Sequence, residues 1–265
     1  MRVSSWDEFL VTPPPVRGAA MTVGGFDGIH RGHELLLKKV LEQKDIVEPT
    51  VITFLRSPKA LLRPDGYPGD ICTLSRKLEI FEARGIVHTV LIDFSRNFSR
   101  LGGRDFIEFL VGRGGLRRLV VGSNFRCGYR MDTGTERIRE LLVPRGIPVD
   151  VMESLMYGAA PVSSSRIRTA IGRGDIALAS ELLGRPFELE LEGAVPGGEG
   201  GVKSYRLSGR GILAPPPGVY KALVRNAGAD ITGVSGEIRV EPDRVLVPSP
   251  FDAVRIEFLQ GTQGV

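Results

Sequence analysis

Two of the three histidines of this 265-residue chain lie three positions apart, in the segment "GGFDGIHRGHELLL" (Gly24 to Leu37). The glycines before His30 and the leucines after His33 predict a strand, a turn and then a helix. Residues three apart on an opening helical turn lie on the same side of it. A helix N-terminus offers amide donors and the positive end of the dipole, and two imidazoles can stabilise charge at an α-phosphate. The segment therefore predicts a triphosphate-binding site.

Two other interpretations of the histidine pair are a helix cap and half of a zinc site. Cys72 and Cys127 are distant from the pair in sequence, and the third histidine, His88, belongs to a different strand–helix unit. The segment has neither the GxGxxG fingerprint of dinucleotide-binding proteins nor the GxxxxGK[ST] phosphate loop. These features disfavour a dehydrogenase and a P-loop kinase, and they favour the triphosphate interpretation over zinc.

A second motif, "VSSSRIR" (Val162 to Arg168), opens the last predicted helix of the same region. Its serines are good N-cap residues, and Arg166 and Arg168 follow in the first turn, where cations oppose the helix dipole. A bound phosphate removes this conflict. Because ligands bind at the carboxyl ends of the strands in such sheets, we expect this motif to face the histidines across a crevice.

The pattern along the chain predicts an α/β fold followed by a β domain. Between residue 19 and about residue 186, five apolar strands alternate with helices, which predicts a Rossmann-like parallel sheet with crossovers on both faces. Beyond Arg185 and Pro186, short β-like runs such as "GVYKALV" and "AVRIEFL" alternate with turns rich in glycine and proline. This second pattern is typical of a small antiparallel β-barrel.

Composition restricts the class of protein and of partner. The chain is 42% hydrophobic and 25% charged, without an apolar run long enough to span a membrane or an N-terminal secretory signal. The two cysteines lack metal-ligand spacing, so we expect a cytoplasmic protein with reduced thiols and no membrane partner. The 35 basic and 31 acidic residues are scattered and give a net charge of +4, which disfavours a nucleic-acid-binding surface.

Together the motifs resemble the bacterial FAD synthetases (riboflavin kinase/FMN adenylyltransferases) of the HxGH nucleotidyltransferase superfamily. The resemblance extends from Met21 to Phe187 and includes "VITF" followed by Pro58, "VVGSNFRCG" (Val120 to Gly128) and "GRGDIALASELLGRPFE" (Gly172 to Glu188). It implies a nucleotidyltransferase domain over residues 1–186 and a truncated riboflavin-kinase-like β-barrel over residues 187–265.

The resemblance also implies an activity, which is transfer of AMP from Mg-ATP to FMN to give FAD and pyrophosphate. It implies that His30, His33 and Arg168 are catalytic and that the metal is Mg²⁺ carried by ATP, with no protein ligand assigned. The other implied ATP-binding residues are Gly24, Phe26, Asp27, Gly28, Ser164, Ser165 and Arg166. The implied FMN-binding residues are Phe54, Asn124, Phe125 and Arg126.

The chain departs from the family pattern at several positions. Leu55 replaces an acidic residue, Pro161 a basic one and Cys127 a phenylalanine, which keeps open a nucleotidyltransferase for another phosphate-bearing metabolite. A non-catalytic homologue that binds flavin or nucleotide is a further alternative. The β domain lacks the family's G-x-P-T-A-N motif before "GVY" (Gly218 to Tyr220), so we predict that riboflavin kinase activity is absent.

Overall fold

The computed structural model describes residues 1–62, 64–94, 96–191, 202–207, 211–226, 233–248 and 252–259. The chain forms two compact units: residues 1–67 with 74–161, and residues 68–73 with 162–265. This division follows compactness and falls at residues other than the predicted limits, 1–186 and 187–265. Those limits concern ancestry and function, and they remain a prediction.

The first unit is an α/β structure around a six-stranded sheet. The strands of this unit, six of which form the large sheet, are β1 (Arg2–Ser5), β2 (Ala19–Val23), β3 (Glu48–Phe54), β4 (His88–Ile92), β5 (Leu116–Gly122), β6 (Arg126–Cys127), β7 (Thr133–Gly134), β8 (Val149–Met152), β9 (Met156–Tyr157) and β10 (Ala160–Pro161). Its helices are α1 (Trp6–Val11), α2 (Arg31–Leu41), α3 (Pro58–Leu62), α4 (Leu74–Ala83), α5 (Arg96–Ser99), α6 (Gly103–Gly112) and α7 (Thr135–Leu142).

The large sheet has the strand order β1-β4-β3-β2-β5-β8, and all of its pairings are parallel. The predicted parallel sheet is therefore confirmed. All five residues of β2 are buried, because helices cover both faces of such a sheet and its central strands are predominantly apolar. One face packs around Met21 and Phe106, and the other around Leu37 and Phe81.

Two local features of the first unit differ from the sequence prediction. The edge strand β1 was not predicted, since "RVSS" is largely exposed and lacks an apolar alternation. The proline, glycine and mixed charge of the segment Arg56 to Asp70 predict a loop, but the structure has α3 and a 3-10 turn at Pro64–Gly66 within it. Proline at the first helical position and the helix-favouring residues after it explain α3.

The second unit joins two helices to an antiparallel sheet. The helices are α8 (Ser164–Gly172) and α9 (Ile176–Leu183), separated at Gly174, whose φ of 76° is left-handed. The strands are β11 (Glu188–Glu190), β12 (Val202–Arg206), β13 (Gly218–Asn226), β14 (Gly233–Val240), β15 (Arg244–Pro248) and β16 (Ala253–Phe258), in the order β11-β16-β13-β14-β15-β12. This curled antiparallel sheet confirms the predicted β architecture. One of the turns rich in glycine and proline that the sequence predicts, "PGGEGG" (residues 196–201), lies outside the described residues.

Candidate active site

The candidate site lies at the point where the strand order of the parallel sheet reverses. β2 is central, β3 and β4 follow on one side, and the chain then crosses to β5 and β8 on the other. In open α/β sheets the ligand crevice lies outside the carboxyl ends of the strands at such a point. The histidine segment follows β2, Phe54 ends β3, and Asn124 follows β5. Three predicted groups of site residues therefore share one edge of the sheet.

The loop from β2 to α2 has an unusual backbone. Phe26 has a φ of 47°, Gly28 of 76° and Ile29 of 38°. Left-handed φ is uncommon outside glycine and is a genuine outlier for a β-branched residue such as Ile29. The side chains of Phe26 and Ile29 are 1% and 0% exposed. Burial of these two side chains beneath the loop stabilises a conformation that local preference disfavours.

The two histidines lie against each other at the start of α2. His30 is the N-cap, and its Nδ1 accepts a hydrogen bond from the backbone N–H of His33 at 3.3 Å. The ring centroids are 3.6 Å apart with an interplanar angle of 13°. The two rings therefore share one side, as predicted, but His30 caps the helix instead of lying within it. Because Nδ1 accepts the capping bond, the proton of the neutral His30 ring lies on Nε2, which makes Nε2 the donor.

Other predicted ATP-binding residues lie in the loop before this pair. The Phe26 ring lies 5.0 Å from the His33 ring, and Asp27 is buried, with 9% of its surface exposed. Gly24 continues the β-pairing, since its N–H donates to the Ile52 carbonyl at 3.1 Å. Gly28 supplies one of the positive φ values on which the path of the loop depends. The loop residues predicted from sequence thus belong to one continuous segment with the histidines, and Phe26 of this loop packs next to His33.

The predicted flavin-binding residues fall into two kinds. Phe54 and Phe125 are partly buried and pack against the same apolar cluster, on the opposite face of the sheet from Phe26. Asn124 and Arg126 are exposed, and Arg126 Nε donates to the Met131 carbonyl at 3.0 Å. Phe54 ends β3, whereas Asn124, Phe125 and Arg126 follow β5, and β2 lies between these two strands in the sheet.

The loop after β6 is anchored to α6. The Asp132 carboxylate accepts a hydrogen bond from the N–H of Gly103, the first residue of α6, at 3.0 Å. The Tyr129 N–H donates to the Leu101 carbonyl at 2.8 Å. Cys127, at the end of β6, is half-buried, and burial together with the nearby Asp132 charge raises its thiol pKa to about 12. The thiol therefore stays protonated at neutral pH and is a poor nucleophile.

The predicted serine and arginine residues belong to the second unit, at the start of α8. Ser163 is the N-cap, and its side chain accepts from the Arg166 N–H at 3.2 Å. Ser164 and Ser165 are then the first two helical residues. Arg168 Nε donates to the Gly69 carbonyl at 3.0 Å, which orients the guanidinium.

Lys77 of α4 contacts the histidine loop, and no sequence motif predicts this contact. Its Nζ donates to the Gly25 carbonyl at 3.0 Å, and its residue surface is 9% exposed. "LSRKLEIFEARG" predicts only an amphipathic helix. The one available signal was that Lys77 lies four residues before Phe81, on the face that Phe81 buries.

Comparison with known proteins gives a consistent result. The FAD synthetase family model matches residues 13–166. The bifunctional riboflavin kinase/FMN adenylyltransferase of Escherichia coli K12 is 29% identical over 220 residues, which are 81% of this chain and 70% of that protein. The FAD synthetase of Listeria monocytogenes is 30% identical over 206 residues, 77% and 83% of the two chains.

Solved structures add a likeness of fold. A crystal structure described as a macrolide-efflux protein from Streptococcus pneumoniae has a TM-score of 0.84, with 20% identity over all of this chain and 92% of that one. At this identity the likeness concerns the fold alone. Family membership follows from the match over residues 13–166, which is more than half of the chain and includes the histidine loop. The chain belongs to the FAD synthetase family.

Proposed function

We propose that the protein is an FMN adenylyltransferase, which transfers AMP from ATP to the phosphate of FMN and releases pyrophosphate. The observation that carries the proposal is the stacked pair His30 and His33 at the N-terminus of α2, at the reversal point of the sheet. The pair lies in the part of the chain that matches the FAD synthetase family. Among the described residues, no helix is both long and apolar enough to cross a membrane.

The reaction forms one bond and breaks one. A phosphate oxygen of FMN attacks the α-phosphorus of ATP, and the bond from that phosphorus to the bridging oxygen of pyrophosphate breaks. Such a displacement needs positioning and charge stabilisation more than a protein nucleophile. His30 Nε2 and the His33 ring donate to phosphate oxygens, and the first amides of α2 add further donors. The protonated Cys127 thiol takes no part.

Magnesium fits this arrangement as a companion of ATP. Mg²⁺ prefers oxygen ligands and is commonly held by one or two carboxylates together with substrate phosphates. Asp27 is the carboxylate of the histidine loop, and in the described residues no group of three or more histidine, cysteine or acidic side chains forms a metal cluster. When bound, the ion neutralises phosphate charge. We propose that Asp27 and the phosphates of ATP hold it.

The remaining predicted roles are part of the same proposal. Phe54, Asn124, Phe125 and Arg126 are proposed to contact FMN, and Gly24, Phe26, Gly28, Ser164, Ser165, Arg166 and Arg168 to contact ATP. We also propose that the protein lacks riboflavin kinase activity, because the sequence before Gly218 contains no P-T-A-N run. The surviving Tyr220 has a structural contact, since its hydroxyl donates to the Pro216 carbonyl at 2.8 Å.

The test is to incubate the purified protein with ATP, Mg²⁺ and either FMN or riboflavin, and to separate the flavins by chromatography. We expect FAD from FMN and no FMN or FAD from riboflavin. His33→Ala should abolish FAD formation. His88→Asn, which replaces the third histidine, is the matched control and should not. If pyrophosphate is released with other phosphate-bearing acceptors but not with FMN, one of those acceptors is the substrate and FMN is not. ATP binding without turnover of any acceptor would refute catalysis.

A further inference from the structure

Lys77 is a buried lysine whose ammonium makes one hydrogen bond among the described residues. Lysine is rarely buried unless its ammonium is paired, because removing the charge from water is costly. The Lys77 Nζ donates to the Gly25 carbonyl at 3.0 Å, and within the described residues no carboxylate forms an ion pair with it. In the described part of the chain, the ammonium therefore interacts with one carbonyl, which belongs to the histidine loop.

The Gly25 carbonyl is held from two sides. Thr53, a fully buried residue of β3, donates to it through Oγ1 at 3.2 Å, so both acceptor positions of the oxygen have a side-chain donor. Gly25 itself is exposed, and a Cβ built on it meets no atom within 4 Å. A side chain at this position would therefore meet open space, and the two hydrogen bonds restrain the Gly25 carbonyl.

The same helix also supports the histidine rings. Phe81, one turn after Lys77 in α4, meets the Phe26 ring edge-on at 5.5 Å. The Phe26 ring lies 5.0 Å from His33, which stacks on His30 at 3.6 Å. One face of α4 thus contacts the loop twice. Lys77 binds the backbone just before Phe26, and Phe81 packs against the side chain of Phe26.

We propose that Lys77 is a positioning residue, which holds the Gly25 carbonyl so that the left-handed loop presents His30 and His33 to the phosphates of a nucleoside triphosphate. The identity of the ligand rests on the proposed function, whereas the effect of Lys77 on the position of the histidines is independent of it. Lys77→Met keeps the apolar stem and removes the ammonium. Thr53→Val removes the other donor without changing charge. Lys39→Met is the matched control, because Lys39 pairs with Glu42 at 2.7 Å on the far part of α2.

The first readout is independent of activity. The chain has three histidines, so NMR resolves their ring signals, with His88 as an internal reference. We expect Lys77→Met and Thr53→Val to shift the signals of His30 and His33 and to leave those of His88 unchanged. Lys39→Met should move none of them. A change confined to thermal stability, with all ring signals in place, would mean that Lys77 is merely structural and would overturn the proposal.

The second readout is FAD formation. We expect Lys77→Met to lower kcat at least tenfold, with the KM for FMN within about twofold, since the flavin-binding residues are not displaced; a tenfold loss corresponds to about 1.4 kcal/mol. Because both donors act on one oxygen, the losses in the double variant should be less than additive. A rate within twofold of wild type together with unmoved ring signals would refute the proposal.

Two outcomes separate this inference from the proposed function. If the wild-type protein makes no FAD but Lys77→Met still shifts the His30 and His33 signals, the function is wrong and the positioning role stands. If FAD forms normally and the signals do not move, the positioning role is wrong. Should Lys77→Met fail to fold, Thr53→Val decides by the same two readouts, because it retains the buried charge.

Discussion

His30 has two roles in one side chain, and two substitutions can separate them. Its Nδ1 caps α2 by accepting from the His33 N–H at 3.3 Å, and its Nε2 is proposed to donate to ATP. Alanine removes both functions. Asparagine is among the best N-cap residues and restores an acceptor for the helix, but it has no imidazole. The pair of variants therefore distinguishes loss of the cap from loss of the phosphate contact.

The expected magnitudes differ by readout. Loss of the cap in His30→Ala costs about 1 kcal/mol of stability, which lowers the Tm by about 2–4 °C for a chain of this size class. Loss of one preorganised donor to a developing oxyanion lowers kcat by about 10²–10³-fold. We therefore expect His30→Ala to lose both stability and rate, and His30→Asn to keep wild-type stability with the same loss of rate.

Urea unfolding and chromatography of the flavin products measure the two quantities on the same preparations. His88→Asn serves as control for the rate. Recovery of wild-type kcat by His30→Asn would show that His30 acts only through the cap, and the reasoning about Nε2 would be wrong. Equal instability of both variants would show instead that the cap contributes nothing beyond ring packing against His33.

Further predictions concern the supporting structure. Gly128→Ala should destabilise the protein by about 2 kcal/mol or more in urea unfolding, because Gly128 has a φ of 84° and an added Cβ would overlap the backbone of Gly103; unchanged stability would contradict this. Burial, with the Arg2 charge, lowers the pKa of His88 from 6.5 to about 4. The unfolded chain then binds the proton first as the pH falls, so about 3 kcal/mol of stability should disappear between pH 6.5 and pH 4, and urea titrations of His88→Asn should lack this component. Arg168→Lys should weaken ATP binding about tenfold or more by calorimetry, since lysine lacks the fork that both contacts Gly69 and can hold a phosphate.

The parts of the fold that the sequence predicted are those with a strong local pattern. β2 is apolar at all but one position, and α2 follows a glycine-rich turn with leucines at helical spacing, so both elements and the pairing of His30 with His33 could be inferred. β1 could not, because "RVSS" is an exposed edge whose place depends on pairing with β4. A pairing between strands so far apart in the chain leaves no periodic pattern in the sequence.

The position of His30 shows a different limit. Spacing alone places two residues three apart on one helical turn, and it does not determine where the helix begins. His30 has a φ of −79° and a ψ of 171°, which are extended and typical of an N-cap. From the sequence alone, a helix cap and a phosphate-binding role are alternative interpretations of the pair. Because the imidazole has two nitrogens, the structure allows His30 to cap through Nδ1 and still offer Nε2 to a ligand.

Lys77 shows why supporting residues escape prediction from sequence. An isolated lysine in an amphipathic helix is expected at the surface, and its partner Gly25 lies 52 residues earlier in the chain. The loop it holds is itself unfavourable by local preference, since left-handed Phe26 and Ile29 cost about 1–2 kcal/mol each. Burial of two large apolar side chains contributes about 1.5–3 kcal/mol each, which offsets that cost without specifying the direction of the Gly25 carbonyl. The two donors behind the loop, Lys77 of α4 and Thr53 of β3, act on that direction. In the proposed arrangement, the orientation of the histidines depends on these two elements as well as on their own segment.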